Sequence, residues 1–150
     1  MYNAVNYRLF VSTLEGNYKM IYPLKITKTE GYVTILHFHG HLDGQTENLA
    51  IESARAVLHT GARFLIIDLN NVDMISSAGL RALHSIYKMF NFHDEETAWH
   101  KIHNGEMYKS PYLKLACAST QVYDVLSMTG FLQNISMFPA VEEALQSFSS

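Results

Sequence analysis

The chain has 150 residues, of which 48% are hydrophobic and 17% are charged, and this composition indicates one folded domain and excludes a disordered chain. A formal net charge of −3 excludes a general basic surface for nucleic acid, and the single cysteine, Cys117, excludes an internal disulfide. The N-terminus has no secretory signal pattern, and no apolar run approaches the roughly 20 residues that cross a bilayer. We therefore expect a cytoplasmic protein without membrane insertion.

We predict that residues 1–19 form an N-terminal extension or an extra hairpin, and that the main domain comprises residues 20–150. Tyr7, Leu9 and Val11 alternate as in a strand, and Glu15-Gly16-Asn17 offers a turn before apolar residues resume. Two alternatives stay open. The segment could be poorly ordered, or it could pair with a second copy of the chain in a homodimer.

Two strands are predicted next, at residues 23–29 and 32–42. In the second strand, His37, His39 and His41 fall on one face because side chains alternate along a strand. Three histidines on one face could bind a metal or respond to pH. We favour a solvated or helix-covered face, because no nearby Cys or Glu completes a ligand set.

A loop at residues 42–46 leads into a predicted helix, which Gly61 ends. Thr46 or Asp43 would be the N-cap of this helix. A partner contact is an equally good interpretation of Asp43.

The most informative stretch is residues 63–90. An apolar run predicts a buried strand, Asn70-Asn71-Val72-Asp73 predicts a polar turn, and Ser76 and Ser77 stand before an apolar pattern of helical period. A serine at a helix start accepts a hydrogen bond from a free amide and lies at the positive end of the helix dipole. Its hydroxyl therefore lies where a phosphate is favoured, although Ser77 could also be only a helix cap.

Residues 91–112 predict an exposed insertion with at most one helical turn. Trp99 could anchor a partner or hold the insertion to the body of the protein. His93, His100 and His103 could add metal ligands, but their spacing is a weak signal, and we predict no metal site.

The last third of the chain predicts a strand at residues 113–118, in which Cys117 is a small core residue. Ser119 or Thr120 caps the next helix, a short strand surrounds Ile135, and Pro139 takes the first position of a final helix. Alternating strands and helices predict an α/β fold. We expect one mixed, mainly parallel sheet of about four to six strands, with about four helices and an antiparallel N-terminal edge.

Four stretches of the sequence together resemble one known family. They are Gly40-His41-Leu42-Asp43 with Thr46, residues 65–69 and 75–80 with Val72, residues 125–131, and residues 140–145. Their combination resembles the STAS-domain family, in particular the bacterial anti-sigma-factor antagonists, and is more specific than any single motif.

The resemblance implies a protein-binding module that is switched by phosphorylation. In that family, an anti-sigma factor with serine-kinase activity binds the unmodified antagonist and releases it after phosphorylating one serine, and a phosphatase reverses the modification. The matching serine is Ser77. The acidic residue that usually precedes it is Ser76 here, which makes Ser76 a second candidate. The predicted partner-binding residues are Asp43, Thr46, Asp73, Ser76, Ser77, Gly79 and Leu80.

Catalysis is not expected from these serines. The segment 74–79 lacks the first glycine of a Gly-x-Ser-x-Gly nucleophile elbow, and the sequence has no Gly-rich phosphate-binding loop. We predict no cofactor and no enzymatic activity, and Gly79 is explained by close packing of helix and strand. Two alternatives to the switch are a STAS scaffold subunit of a transporter or stress-sensing complex that does not cycle through phosphate, and a ligand or metal sensor that uses the histidine face.

Overall fold

The computed structural model describes residues 2–12 and 18–149, with side chains from residue 23 onward. The strands are β1 (Tyr2–Ser12), β2 (Tyr18–Thr29), β3 (Thr34–Leu42), β4 (Leu65–Ile75), β5 (Leu113–Ala116) and β6 (Ser136–Phe138). The α-helices are α1 (Glu47–His59), α2 (Ser77–Phe90), α3 (Glu95–His103), α4 (Thr120–Met128) and α5 (Val141–Gln146).

The strands of the described residues form one sheet in the order β1-β2-β3-β4-β5-β6. The pairs β1–β2 and β2–β3 are antiparallel, and the remaining three pairs are parallel. The predicted α/β class, the mixed sheet and its antiparallel N-terminal edge are confirmed.

The N-terminal residues pair with β2 of the same chain. The β1–β2 register shifts between Tyr7 and Leu9, near Pro23 of β2. Proline has no N–H to donate to the ladder, so a bulge is the expected response at this position. The predicted turn at residues 15–17 lies outside the described residues, and pairing with a second copy stays a prediction.

Strand β4 corrects one expectation. The predicted polar turn at residues 70–73 is wrong, because β4 continues through it to Ile75. Its pairing with β3 shifts register between His37 and His39 and again between Gly40 and His41. These irregularities let the polar residues fit into a strand that still buries Val72 against the core.

The sheet buries a hydrophobic layer on each face. The larger core lies between the sheet and helices α1, α2 and α4, and it includes Leu36, Phe38 and Leu42 of β3. The smaller core on the other face includes Ile35 and Ile66 of the sheet, with Ala144 of α5. Neighbouring residues of β3 thus point to opposite layers, as the alternation predicted.

Two predicted helix starts can be compared directly with the structure. Ser119 is the N-cap of α4, and its Oγ accepts a hydrogen bond from the amide of Val122 at 3.2 Å, as expected for one of the two proposed caps. Pro139 does not take the first position of the last helix. Helix α5 begins at Val141 with Ala140 as its N-cap.

The segment 91–112 is more ordered than a loop with one turn. It contains a 3-10 helix at Phe92–Asp94 and the nine-residue helix α3. The structure describes no helix that is both long and apolar enough to cross a membrane.

A buried hydrogen-bond network holds this segment to the body of the domain. The Asn91 side-chain amide donates to the Tyr108 hydroxyl at 2.7 Å, and that hydroxyl donates to Asp94 at 2.6 Å. Ser110 Oγ donates to the side-chain oxygen of Asn91, and the Ser110 amide donates to the Asn134 carbonyl at 2.8 Å. Burial and the bond to Asp94 raise the pKa of Tyr108. Because buried polar groups that are paired resist opening, the insertion is fixed in place.

Candidate protein-binding site at the start of helix α2

The two serines at the start of α2 have different roles. Ser76 is the N-cap: its backbone is extended, and its Oγ accepts a hydrogen bond from the amide of Gly79 at 3.3 Å. Ser77 is the first helical residue and is exposed, and its hydroxyl has no hydrogen bond to any described residue. The interpretation of Ser77 as a cap is therefore wrong, and Ser77 presents a free hydroxyl beside the positive end of the helix dipole.

Gly79 sets how closely α2 approaches the end of β3. A Cβ built on Gly79 would lie 2.2 Å from the carbonyl oxygen of Leu42. The Ser76 amide donates to the same oxygen at 2.9 Å. Any side chain at position 79 would displace the helix from the strand, so the packing role predicted for this glycine is confirmed.

The loop before α1 lies against the start of α2. Thr46 is fully buried and occupies the N-cap position of α1, but its side chain makes no capping bond. Its hydroxyl donates to the His41 carbonyl at 2.9 Å and accepts from the Asp43 amide at 3.0 Å. Thr46 is therefore the N-cap residue, one of the two predicted candidates, but its hydroxyl bonds within the loop and not to the first amides of α1. The threonine shapes the loop from within, where no partner can touch it.

Asp43 also shapes the loop. Its carboxylate accepts a hydrogen bond from the amide of Gln45 at 2.9 Å and so forms an Asx turn. Asp43 does not cap α1. Gly44 approaches Ala78 of α2, because a Cβ on this glycine would lie 3.9 Å from the Ala78 Cβ. The structure therefore brings the loop at residues 42–46, the Asp43 loop, next to Ser76 and Ser77.

Asp73 pairs with the imidazole of His41, a contact that the sequence did not predict. Its Oδ1 lies 2.7 Å from Nδ1 of His41, and both side chains are exposed. His41 lies on the face of β3 turned away from the buried Leu42. Asp73 is therefore two residues from the end of β4 but faces the sheet side opposite α2.

Two of the three histidines on this face of β3, His37 and His41, pair with carboxylates, and His39 is exposed. His37 Nδ1 lies 2.7 Å from Asp68, and its Nε2 lies 2.9 Å from the Thr29 hydroxyl. Cys117 follows β5 near this pair, and burial raises the pKa of its thiol. Among the described residues, no group of three or more His, Cys, Asp and Glu side chains could hold a metal ion.

A groove along α2 joins the two helix starts. It has a volume of about 520 Å³, and its lining includes Glu47, Ser77, Leu80, Arg81, His84 and Lys88. The guanidinium of Arg81 lies 3.4 Å from the Glu47 carboxylate. Burial and the nearby Lys88 lower the pKa of His84. Sequence reasoning missed this ion pair, because it depends on the packing of α1 against α2.

Fold and site define a class of protein: an α/β domain with an exposed serine at the first position of a helix that packs closely against the sheet. A family model, the STAS domain, matches residues 24–97. The chain carries a STAS domain, and the predicted family is confirmed. A search of curated protein sequences finds no match.

Solved structures share this fold at low sequence identity. An anti-sigma factor antagonist from Mycobacterium paratuberculosis has 17% identity and a TM-score of 0.66, over 85% of this chain and 95% of the other. The Bacillus cell fate determinant SpoIIAA in its phosphorylated form has 13% identity and a TM-score of 0.54, over 82% and 96%. A sulfate transporter family protein from Wolinella succinogenes has 18% identity and a TM-score of 0.55, over 81% and 88%. At these identities, the likeness establishes the fold alone.

Proposed function

We propose that this protein is an anti-sigma-factor antagonist whose binding to a kinase-type anti-sigma factor is switched off by phosphorylation of Ser77. The observation that carries the proposal is the exposed, unbonded hydroxyl of Ser77 at the first position of α2. Ser76 is half-buried, and its oxygen already accepts the capping hydrogen bond. Of the two serines it is therefore less suited to phosphorylation.

The proposed contact surface surrounds Ser77. The Asp43 loop, Ser76, Ser77 and the half-exposed Leu80 touch the partner, whereas Thr46 and Gly79 are buried and position the others. Asp73 faces the opposite side of the sheet, so in this proposal it adds negative charge near this end of the domain without contacting the partner.

Phosphorylation would change this surface without unfolding it. A phosphate adds about −1.5 to −2 charges, and a helix start stabilises a negative charge by about 0.3–1 kcal/mol. The helix therefore tolerates the modification, while a partner packed over Ser77 meets added bulk and charge. The switch acts on binding, and a phosphatase restores the binding form in the cytoplasm.

Two structural relatives support this choice of function. One is an anti-sigma factor antagonist, and SpoIIAA exists in a phosphorylated form on a similar fold. We therefore describe the protein as a binding module and assign it no catalytic step and no cofactor.

The test uses the purified chain, a cognate kinase-type anti-sigma factor and ATP, with mass spectrometry of the product. We expect one phosphate on the parent and on Ser76→Ala, and none on Ser77→Ala. Binding of Ser77→Asp to the same partner should be at least about tenfold weaker than that of Ser77→Ala, which corresponds to about 1.4 kcal/mol. No phosphate on either serine despite a stable complex would refute the switch.

A second candidate function is a STAS scaffold that does not cycle through phosphate, as in a transporter or stress-sensing assembly. The likeness to a sulfate transporter family protein favours it, and so do the exposed apolar side chains of the insertion, Phe92, Trp99, Ile102 and Met107. A partner complex that ignores Ser77→Asp but is lost on Trp99→Ala would favour this function over the switch.

A further inference from the structure

We infer that Arg81 changes partner when Ser77 is phosphorylated, leaving Glu47 of α1 and pairing with the phosphate. The inference rests on the proposed function, because it describes what the modified serine does inside the domain. It concerns three side chains that line one groove, Glu47, Ser77 and Arg81.

Helix geometry directs Arg81 towards Ser77. The two residues are four positions apart on α2, so they lie on one face and about 6 Å apart along the helix axis. Long side chains of a helix lean towards its N-terminus. An acidic group placed four residues before a basic one is also the more favourable order for a helical ion pair.

The present partner of Arg81 holds it weakly. The two guanidinium-to-carboxylate distances are 3.4 and 3.5 Å, longer than the roughly 2.7–2.9 Å of strong charge-assisted bonds. The Arg81 side chain is 65% exposed, and exposed pairs contribute little to stability. Arg81 can therefore leave Glu47 at little energetic cost.

A phosphate on Ser77 is the stronger competitor for the guanidinium. It carries up to two negative charges against one on Glu47, and its oxygens match the two-pronged geometry of arginine. After the exchange, Glu47 is left unpaired beside the phosphate. The modification then adds negative charge to both helix starts, which extends the altered surface from α2 to α1.

The experiment places phosphoserine at position 77 during protein synthesis and follows the phosphate by ³¹P NMR through a pH titration. A nearby positive charge lowers the second pKa of the phosphate. A helical ion pair of ordinary strength predicts that Arg81→Gln raises this pKa by about 0.3 units. Glu47→Gln should lower it, because a competing negative charge is removed.

Lys88→Gln is the matched control, since it removes the same charge from the same helix and groove. Lys88 lies 11 residues beyond Ser77, about 16 Å along the axis and beyond the screening length at physiological salt. We expect Lys88→Gln to leave the phosphate pKa unchanged. The same pKa in the parent and in Arg81→Gln would overturn the exchange.

The two proposals fail separately. Because phosphoserine is incorporated during protein synthesis, the pKa shift is measured even where no kinase modifies Ser77. A shift without kinase modification would refute the switch and support the exchange. Kinase modification without a shift would support the switch and overturn the exchange.

Discussion

The two ends of helix α2 are built in opposite ways. At its start, backbone contacts dominate: Gly79 lies against the Leu42 carbonyl, and Gln45 and Ser77 expose polar groups. At its end, after Phe90, side chains dominate: Asn91, Tyr108 and Ser110 form a buried network, and the exposed groups of the insertion are large and apolar. The start of α2 presents a hydroxyl that could be modified covalently, whereas its end presents an apolar surface that a partner could recognise only by packing against it.

The largest expected effect breaks the start of α2. Gly79→Ala forces a Cβ into the Leu42 carbonyl, so we expect a loss of about 3 kcal/mol in the free energy of unfolding. Urea denaturation measures this loss. Gly44→Ala is the control, because a Cβ there meets only Ala78 at 3.9 Å, an ordinary contact. Equal stability of the two variants would mean that the helix start is not tightly packed.

An intermediate effect loosens the other end of the helix. Tyr108→Phe removes the hydroxyl that links Asn91 to Asp94 and leaves their polar groups unpaired. We expect a loss of about 1–3 kcal/mol in the free energy of unfolding. Hydrogen exchange should rise in α3, while binding through the Ser77 surface stays within about twofold. The comparable exposed variant, Tyr123→Phe, should have no effect; a loss of partner binding in Tyr108→Phe would show that the two ends are coupled.

The smallest effect on stability tests the apolar surface itself. The Trp99 side chain is exposed and stacks on His103, with ring centroids 3.8 Å apart. Trp99→Ala should therefore change the free energy of unfolding by less than about 0.5 kcal/mol. Binding to a kinase-type anti-sigma factor, measured by calorimetry, should be unchanged. Weaker binding would place the partner on the insertion instead of on the start of α2.

The sequence predicted most of what local patterns control. The alternation of apolar residues predicted the two faces of β3, and Ser77 followed from its place before a helical period. The turn expected at residues 70–73 was wrong, because two asparagines and an aspartate suggested a loop, whereas pairing with β3 through register shifts keeps these residues in a strand. Tertiary pairing overrode local propensity there.

The missed contacts all join residues that are distant in sequence. The pair of His37 with Asp68 depends on the parallel register of β3 and β4, and the pair of Glu47 with Arg81 depends on the packing of two helices. The helix α3 was underestimated because residues 91–112 are polar and rich in histidine. It is held by a hydrogen-bond network that extends along the chain from Asn91 to Asn134.

The carbonyl of Leu42 has a consequence for how information is stored in this molecule. One oxygen accepts a hydrogen bond from the Ser76 amide and sets the distance to Gly79, so any backbone shift at Ser77 would have to break this bond or move the helix away from the strand. Phosphorylation of Ser77 would then change only the charge and shape of the surface, and a partner could detect it without a slow rearrangement of the backbone. The rate of such a signal would be set by the enzymes that add and remove the phosphate, and the domain would keep its phosphorylation state until one of them acts.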